Sequence, residues 1–106
     1  MQVKHFIEEK LLIAEITEEI DHHTSEKIRD RLDYEIQRLM PKKVIIDLKA
    51  VKFMDSAGIG LIIGRYKTTK MYGGEFEIQN VNEKLKRIFD MSGIEKIIPV
   101  RTLSEV

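Results

Sequence analysis

The sequence predicts a single layered α/β domain with a mostly parallel sheet, its elements running in the order β-β-α-β-α-β-α-β. Three observations carry this. Short runs rich in β-branched residues alternate with longer stretches of helical period, and such βα units fold by right-handed crossovers into parallel sheets. The first two apolar runs, Gln2 to Ile7 and Leu11 to Thr17, are separated only by Glu8-Glu9-Lys10. That connection is too short for a helix and suits a hairpin, so one antiparallel strand opens the sheet. The length of 106 residues fits one domain spanning 1–106, and no linker, repeat or low-complexity segment divides it.

The elements follow in order. After Glu18 and Glu19, Ile20 leads into the polar loop Asp21-His22-His23, and Thr24 is a suitable helix N-cap. From Ser25 to Met40, Ile28, Leu32, Ile36 and Leu39 recur at helical spacing, with Arg29, Asp30, Asp33 and Arg38 on other faces, and Pro41 ends the helix. Val44 to Leu48 is a β-branched run suited to a central strand. A connection through Val51, Phe53 and Met54 reaches Asp55-Ser56, and a second helix runs from Ala57 to about Tyr72, closed by Gly73-Gly74. Phe76 to Gln79 reads as a strand. Asn82 caps a third helix with Leu85, Ile88 and Phe89 on one stripe, ended by Gly93. Ile97 to Val100 is the last strand, at an edge because Pro99 cannot donate to a ladder. Beyond it, Thr102-Leu103-Ser104-Glu105 has the form of a capping box.

Composition narrows the function. Lysine plus arginine, 18, balances aspartate plus glutamate, 18, whereas nucleic-acid binders usually carry a positive excess. An apolar share of 42% supports one core. With no cysteine there is no disulfide, thiolate zinc site or cysteine nucleophile. The N-terminus lacks the apolar region of a signal peptide, and the longest apolar stretch, Ile59 to Ile63, is too short to span a bilayer. The expectation is a cytoplasmic protein that meets neither membrane nor nucleic acid.

Phe53-Met54-Asp55-Ser56-Ala57-Gly58-Ile59-Gly60 is the least ordinary stretch. Ser56 stands where a helix N-cap belongs, and that alone is the bland reading. The glycines change the weighing, since Gly58, Gly60 and Gly64 each cost a helix roughly 0.5–1 kcal/mol relative to alanine. Gly60 and Gly64, at i, i+4 spacing, are explained by tight packing. Gly58 in the first turn is not, and a bare turn beside a capping hydroxyl reads as a surface prepared for a visitor. One visitor is a dinucleotide: Gly58-x-Gly60-x-x-x-Gly64 approaches the Rossmann fingerprint, with Glu77 as the ribose acid. Against it, about six residues separate Leu48 from Asp55, and Asp55 sets a negative charge where pyrophosphate belongs. The other visitor is a protein, such as a kinase acting on Ser56.

Met54-Asp55-Ser56-Ala57-Gly58-Ile59-Gly60 resembles the phosphorylation-site signature of STAS-domain anti-sigma factor antagonists. Ile20-Asp21-His22-His23-Thr24, Leu61-Ile62-Ile63-Gly64-Arg65-Tyr66-Lys67 and Ile88-Phe89-Asp90-Met91-Ser92-Gly93-Ile94 extend the resemblance over nearly the whole chain and towards the sporulation branch of that family. By the same resemblance a C-terminal helix is expected after the last strand, shortened in this sequence to the segment from Thr102. The resemblance implies a non-enzymatic switch that is monomeric when free and uses no cofactor. Its unphosphorylated form binds an anti-sigma factor kinase and releases the sigma factor. Phosphorylation of Ser56 ends that binding, and a metal-dependent serine phosphatase restores it. Asp21, Asp55, Ser56, Ala57, Gly58, Ile59 and Gly60 form the implied partner surface.

Other residues carry blander readings. Asp21 with His22 and His23 lacks a third strong ligand at useful spacing, so no metal site is expected and the histidines are loop residues. Arg65 and Lys67 read as a solvated helix face, and Phe53 and Met54 as core. No Ser-His-Asp arrangement is visible around Ser56, so no catalytic residue is assigned. Two alternatives remain beside the binding module: a small nucleotide-binding protein or hydrolase using the Ser56–Gly60 helix N-terminus, and a detached regulatory domain of a transporter or sensor.

Overall fold

A computed structural model of the chain describes residues 1–102. It contains β1 (Gln2–Phe6), β2 (Leu11–Glu15), α1 (Ser25–Leu39), β3 (Lys43–Asp47), α2 (Ser56–Met71), β4 (Glu75–Val81), α3 (Glu83–Ser92), a 3₁₀ turn (Ile94–Lys96) and β5 (Val100–Thr102). The five strands lie in the spatial order β1-β2-β3-β4-β5. β1 is antiparallel to β2, and every other neighbouring pair is parallel.

This order determines where the helices go. Each crossover from β2 to β5 steps to the next strand in the same direction, and right-handed connections then set every helix on one face. The packing agrees. Leu12, Ala14, Val44, Ile46, Phe76 and Ile78 from one face of the sheet share a core cluster with Ile28, Leu32 and Ile36 of α1, Leu61 and Ile62 of α2, and Leu85 and Phe89 of α3. Leu11, Ile13 and Ile45 point to the other face and stand outside that cluster. Alternation along β2 and β3 therefore separates a helix-covered face from one that no described helix covers.

Element boundaries shift for local reasons. Met40 adopts a left-handed conformation (φ 44, ψ 57) that closes α1 one residue before Pro41. Gly73 (φ 81) supplies the turn after α2, and a Cβ on Gly74 would lie 2.7 Å from the Pro41 carbonyl oxygen, so both glycines are demanded there. Asn82 caps α3 as expected, its side chain accepting from the Leu85 N–H, and Gly93 (φ 76) closes that helix. The final strand begins later than Ile97. Residues 94–96 wind into a 3₁₀ turn, Ile98 is buried, and Pro99 contributes only its carbonyl, which accepts from the Ile78 N–H at 2.9 Å. Pairing proper starts at Val100, at the sheet edge. Of the capping-box motif, Thr102 closes β5 and the remaining positions lie outside the described residues.

Candidate functional site

The loops leaving the carboxyl ends of β2 and β3 meet above the sheet, where open parallel sheets place their sites. Ile20 and Met54 form an isolated parallel bridge, which sets Asp21 beside Asp55. Ile20 and Met54 are both buried (1% exposed each), so the bridge anchors both loops in the core. The Asp21 loop is internally fixed. Asp21 Oδ1 accepts the N–H groups of His23 (2.8 Å) and Thr24 (2.9 Å), and the Thr24 hydroxyl donates to the Glu19 carbonyl at 2.7 Å. The Thr24 N–H bond, with help from that of His23, holds the Asp21 carboxyl below its ordinary value against the opposing effect of burial. Thr24 holds the N-cap position of α1, as the sequence predicts, but its backbone is already helical and its side chain makes no capping bond; its hydroxyl accepts the Asp21 N–H at 3.1 Å instead.

Ser56 is not the cap of its helix either. Asp55 holds that position in extended conformation, and its Oδ1 accepts from Ala57 N (2.9 Å) and Gly58 N (3.3 Å). Ser56 is therefore the first residue of α2, exposed, and among the described residues its hydroxyl makes no hydrogen bond. An uncommitted, solvent-facing hydroxyl is what a modifying enzyme can reach. The capping carboxylate also bears on the dinucleotide reading. The amides that would cradle a phosphate are taken by Asp55, and Glu77 is buried in the sheet, bonded to Lys43, Gln79 and Arg101.

The glycines of this helix exchange roles. A Cβ on Gly58 would lie 2.8 Å from Met54 Cβ, so Gly58 is absent of side chain because Met54 packs against it. Gly60 and Gly64, expected to serve packing, have nothing within 4 Å of a Cβ. Gly60 opens instead onto a groove of about 350 Å³ between α1 and α2, lined by His22, Ser25, Arg29, Ala57, Gly60 and Arg65 among others. Opposite stability effects are expected. Gly58→Ala should destabilise the fold by about 1–3 kcal/mol through overpacking, whereas Gly60→Ala should gain about 0.5–1 kcal/mol of helix propensity. Urea unfolding of the two variants checks this, and equal effects would contradict the packing described.

A STAS domain model matches residues 3–105. The chain belongs to the STAS domain family. It is 43% identical over 90 residues, 85% of this chain and 77% of the relative, to an anti-sigma F factor antagonist from Paenibacillus polymyxa. It is 33% identical over 90 residues, 85% of this chain and 81% of the relative, to an anti-sigma-B factor antagonist from Bacillus subtilis. Among solved structures, the anti-sigma factor antagonist SpoIIAA in its unphosphorylated form superposes with a TM-score of 0.80 at 25% identity, covering 95% of this chain and 87% of that one. The phosphorylated form of SpoIIAA gives 0.71 at 25% identity, covering 95% and 90%.

Within this STAS domain, the fold brings Asp21, Asp55, Ser56, Ala57, Gly58, Ile59 and Gly60 together through the Ile20–Met54 bridge and the first turn of α2. Gly58 is buried, so it contributes shape and not contact area. Met54 is core as expected, but Phe53 is not: its ring is 49% exposed and carries the Lys84 ammonium 5.3 Å from its centroid. Arg65 also departs from expectation. It is buried between α1 and α2 with its Nε 2.7 Å from Asp33 Oδ1, an ion pair at poor hydrogen-bonding angles. The residue that sequence reasoning passed over is Glu19. Its two carboxylate oxygens accept the N–H groups of Lys52 and Phe53, each at 3.2 Å. Glu19 pairs with a segment 33 and 34 positions away, and no local pattern announces such a bond. No cluster of three metal-ligating side chains occurs among the described residues.

Proposed function

We propose that this STAS domain is an anti-sigma factor antagonist controlled by phosphorylation of Ser56. The observation that carries the reading is an exposed, unbonded serine hydroxyl at the first position of α2, inside a Met-Asp-Ser-x-Gly segment whose backbone is held rigid by Asp55 and Met54. The relatives named as anti-sigma F and anti-sigma-B factor antagonists support the binding role. The solved phosphorylated and unphosphorylated forms of SpoIIAA support control by a phosphate.

In this proposal the unmodified domain binds an anti-sigma factor that is also a serine kinase, through Asp21, Asp55, Ser56, Ala57, Ile59 and Gly60. Binding frees the sigma factor. The sporulation sigma factor is the favoured target, because the 43% identical relative antagonises anti-sigma F. Transfer of phosphate to Ser56 adds roughly 1.5–2 negative charges next to Asp55 and beside Asp21. The nearest helix amides are already satisfied by Asp55, so the phosphate projects from the turn without remodelling it. A metal-dependent serine phosphatase resets the switch. The domain itself supplies a surface and a substrate hydroxyl, and no catalytic step. No helix of the described residues is long and apolar enough to cross a membrane, which is compatible with work in the cytoplasm.

Incubation with the cognate anti-sigma kinase and ATP, followed by intact mass and site mapping, tests the reading. One phosphate on Ser56 is expected. Modification chiefly at Thr24, Ser25 or Ser92 would sink it, as would nucleotide hydrolysis by the domain alone that disappears in Ser56→Ala.

A further inference from the structure

We propose that Glu19 is a positioning residue of the partner-binding turn, and that what it positions is a contact surface extending from Ser56 to Phe53. This inference deepens the antagonist reading and rests on it.

The segment Val51–Asp55 has no regular structure beyond the single bridge at Met54, so side chains from elsewhere must define its course. Three tethers do so. Val51 is fully buried, and its carbonyl accepts from Asn82 Nδ2 at 3.2 Å, which ties it to the start of α3. Met54 is buried and bridged to Ile20. Between them the Lys52 and Phe53 amides point to the Glu19 carboxylate. With Val51 and Met54 turned inward and the intervening amides held, Phe53 has nowhere to go but outward. Its ring stands three residues before Ser56, half exposed, with the Lys84 ammonium over it. A large aromatic held out of a core by a carboxylate clamp is a poor solution for a free monomer and a good one for an interface, where aromatic anchors dominate binding. The occupant is the same protein that covers Ser56, offering an apolar pocket with a carboxylate near Lys84.

Glu19 also begins the other half of the site. Its carbonyl receives the Thr24 hydroxyl, and Ile20 follows it into the bridge. One residue thus fixes the Asp21 loop with its backbone and the Phe53 segment with its side chain. Both amides it holds are at the surface, so its loss should alter presentation more than global stability.

The test uses the full chain, with the cognate anti-sigma kinase as binding partner. Amide hydrogen exchange by NMR reads the clamp directly. Glu19→Ala is expected to speed exchange at Lys52 and Phe53 at least several-fold while the melting temperature moves little. It should weaken kinase binding by about tenfold. Glu19→Gln keeps one accepting oxygen and should recover part of both effects. Phe53→Ala should weaken binding as much or more, with exchange at Lys52 unchanged. Faster exchange with unaltered binding would overturn the positioning role, and unaltered exchange would overturn the clamp itself. If Phe53→Ala binds as wild type, the surface ends at Ser56. If unmodified wild type fails to bind the kinase at all, the antagonist reading falls first and takes this inference with it, a result distinct from loss confined to the variants.

Discussion

Ser56→Asp is expected to lose about 100-fold or more in affinity for the anti-sigma partner while leaving the fold essentially unchanged. The stability half follows from where Ser56 sits. Asp55 caps α2, so substitution at Ser56 removes no capping bond. An aspartate at the first helical position adds a negative charge that the helix dipole favours, typically by 0.3–1 kcal/mol. Ser56→Ala should stay within about 0.5 kcal/mol of wild type, as exposed substitutions usually do. The binding half follows from desolvation. A partner closing over Ser56 would bury the new carboxylate beside Asp55 and Asp21 without a counter-charge, a penalty of roughly 2–5 kcal/mol. Ser56→Ala lacks that charge and should bind like the unmodified protein, yet resist every attempt to switch it off. Thermal melts and titration calorimetry against the kinase check both variants. Tight binding by Ser56→Asp would refute direct blocking at this turn. A collapsed melt would instead mean that the switch works by unfolding.

Acid should weaken the fold through Glu77. Its carboxylate, 4% exposed, lies between β3 and β5 on the sheet and binds Lys43 of β3, Gln79 of β4 (3.0 Å) and Arg101 of β5 (2.8 Å). Burial by itself would raise its pKa, but the hydrogen bonds from Lys43, Gln79 and Arg101 outweigh it and bring the value from 4.5 to about 2. A depressed carboxylate pKa stabilises the native state above the unfolded value, and that contribution is lost as pH falls from about 4.5 towards 2. The full shift corresponds to about 3 kcal/mol. The exposed cationic ends of Lys43 and Arg101 admit solvent, and screening reduces the expected contribution to about 1–2 kcal/mol. Glu77→Gln should therefore be less stable than wild type at pH 7, with the gap closing below pH 4. Denaturant unfolding of both proteins across that range measures it. A gap that does not change with pH would mean that Glu77 is not held as an anion.

How much of this was legible in the sequence depends on how far apart the interacting residues lie. The element order, the opening hairpin, the Asn82 cap and the Gly93 stop all rest on neighbours within a few positions, and each appears in the structure. Thr24 holds its cap position without the capping bond, and Ser56 yields its cap position to Asp55. At Ser56, Asp55 takes the Ala57 and Gly58 amides first, and a carboxylate is the stronger acceptor; at Thr24, the hydroxyl is occupied by the Asp21 N–H and the Glu19 carbonyl and so is turned away from the first turn of α1. Arg65 looks solvated in the sequence because its partner, Asp33, lies on another helix.

Periodicity, punctuation by glycine and proline, and a Met-Asp-Ser-x-Gly segment specific enough to point to an anti-sigma factor antagonist are all written in the local order of residues. What that segment touches depends on the assembled fold. It set Met54 under Gly58, opened Gly60 onto a groove, joined Ile20 to Met54, and brought Glu19 to the Lys52 and Phe53 amides. The physical reason is that periodicity and capping are encoded over one or two turns of chain. The contacts that aim Ser56 and Phe53 instead join segments more than thirty residues apart, and these meet only when the sheet is assembled.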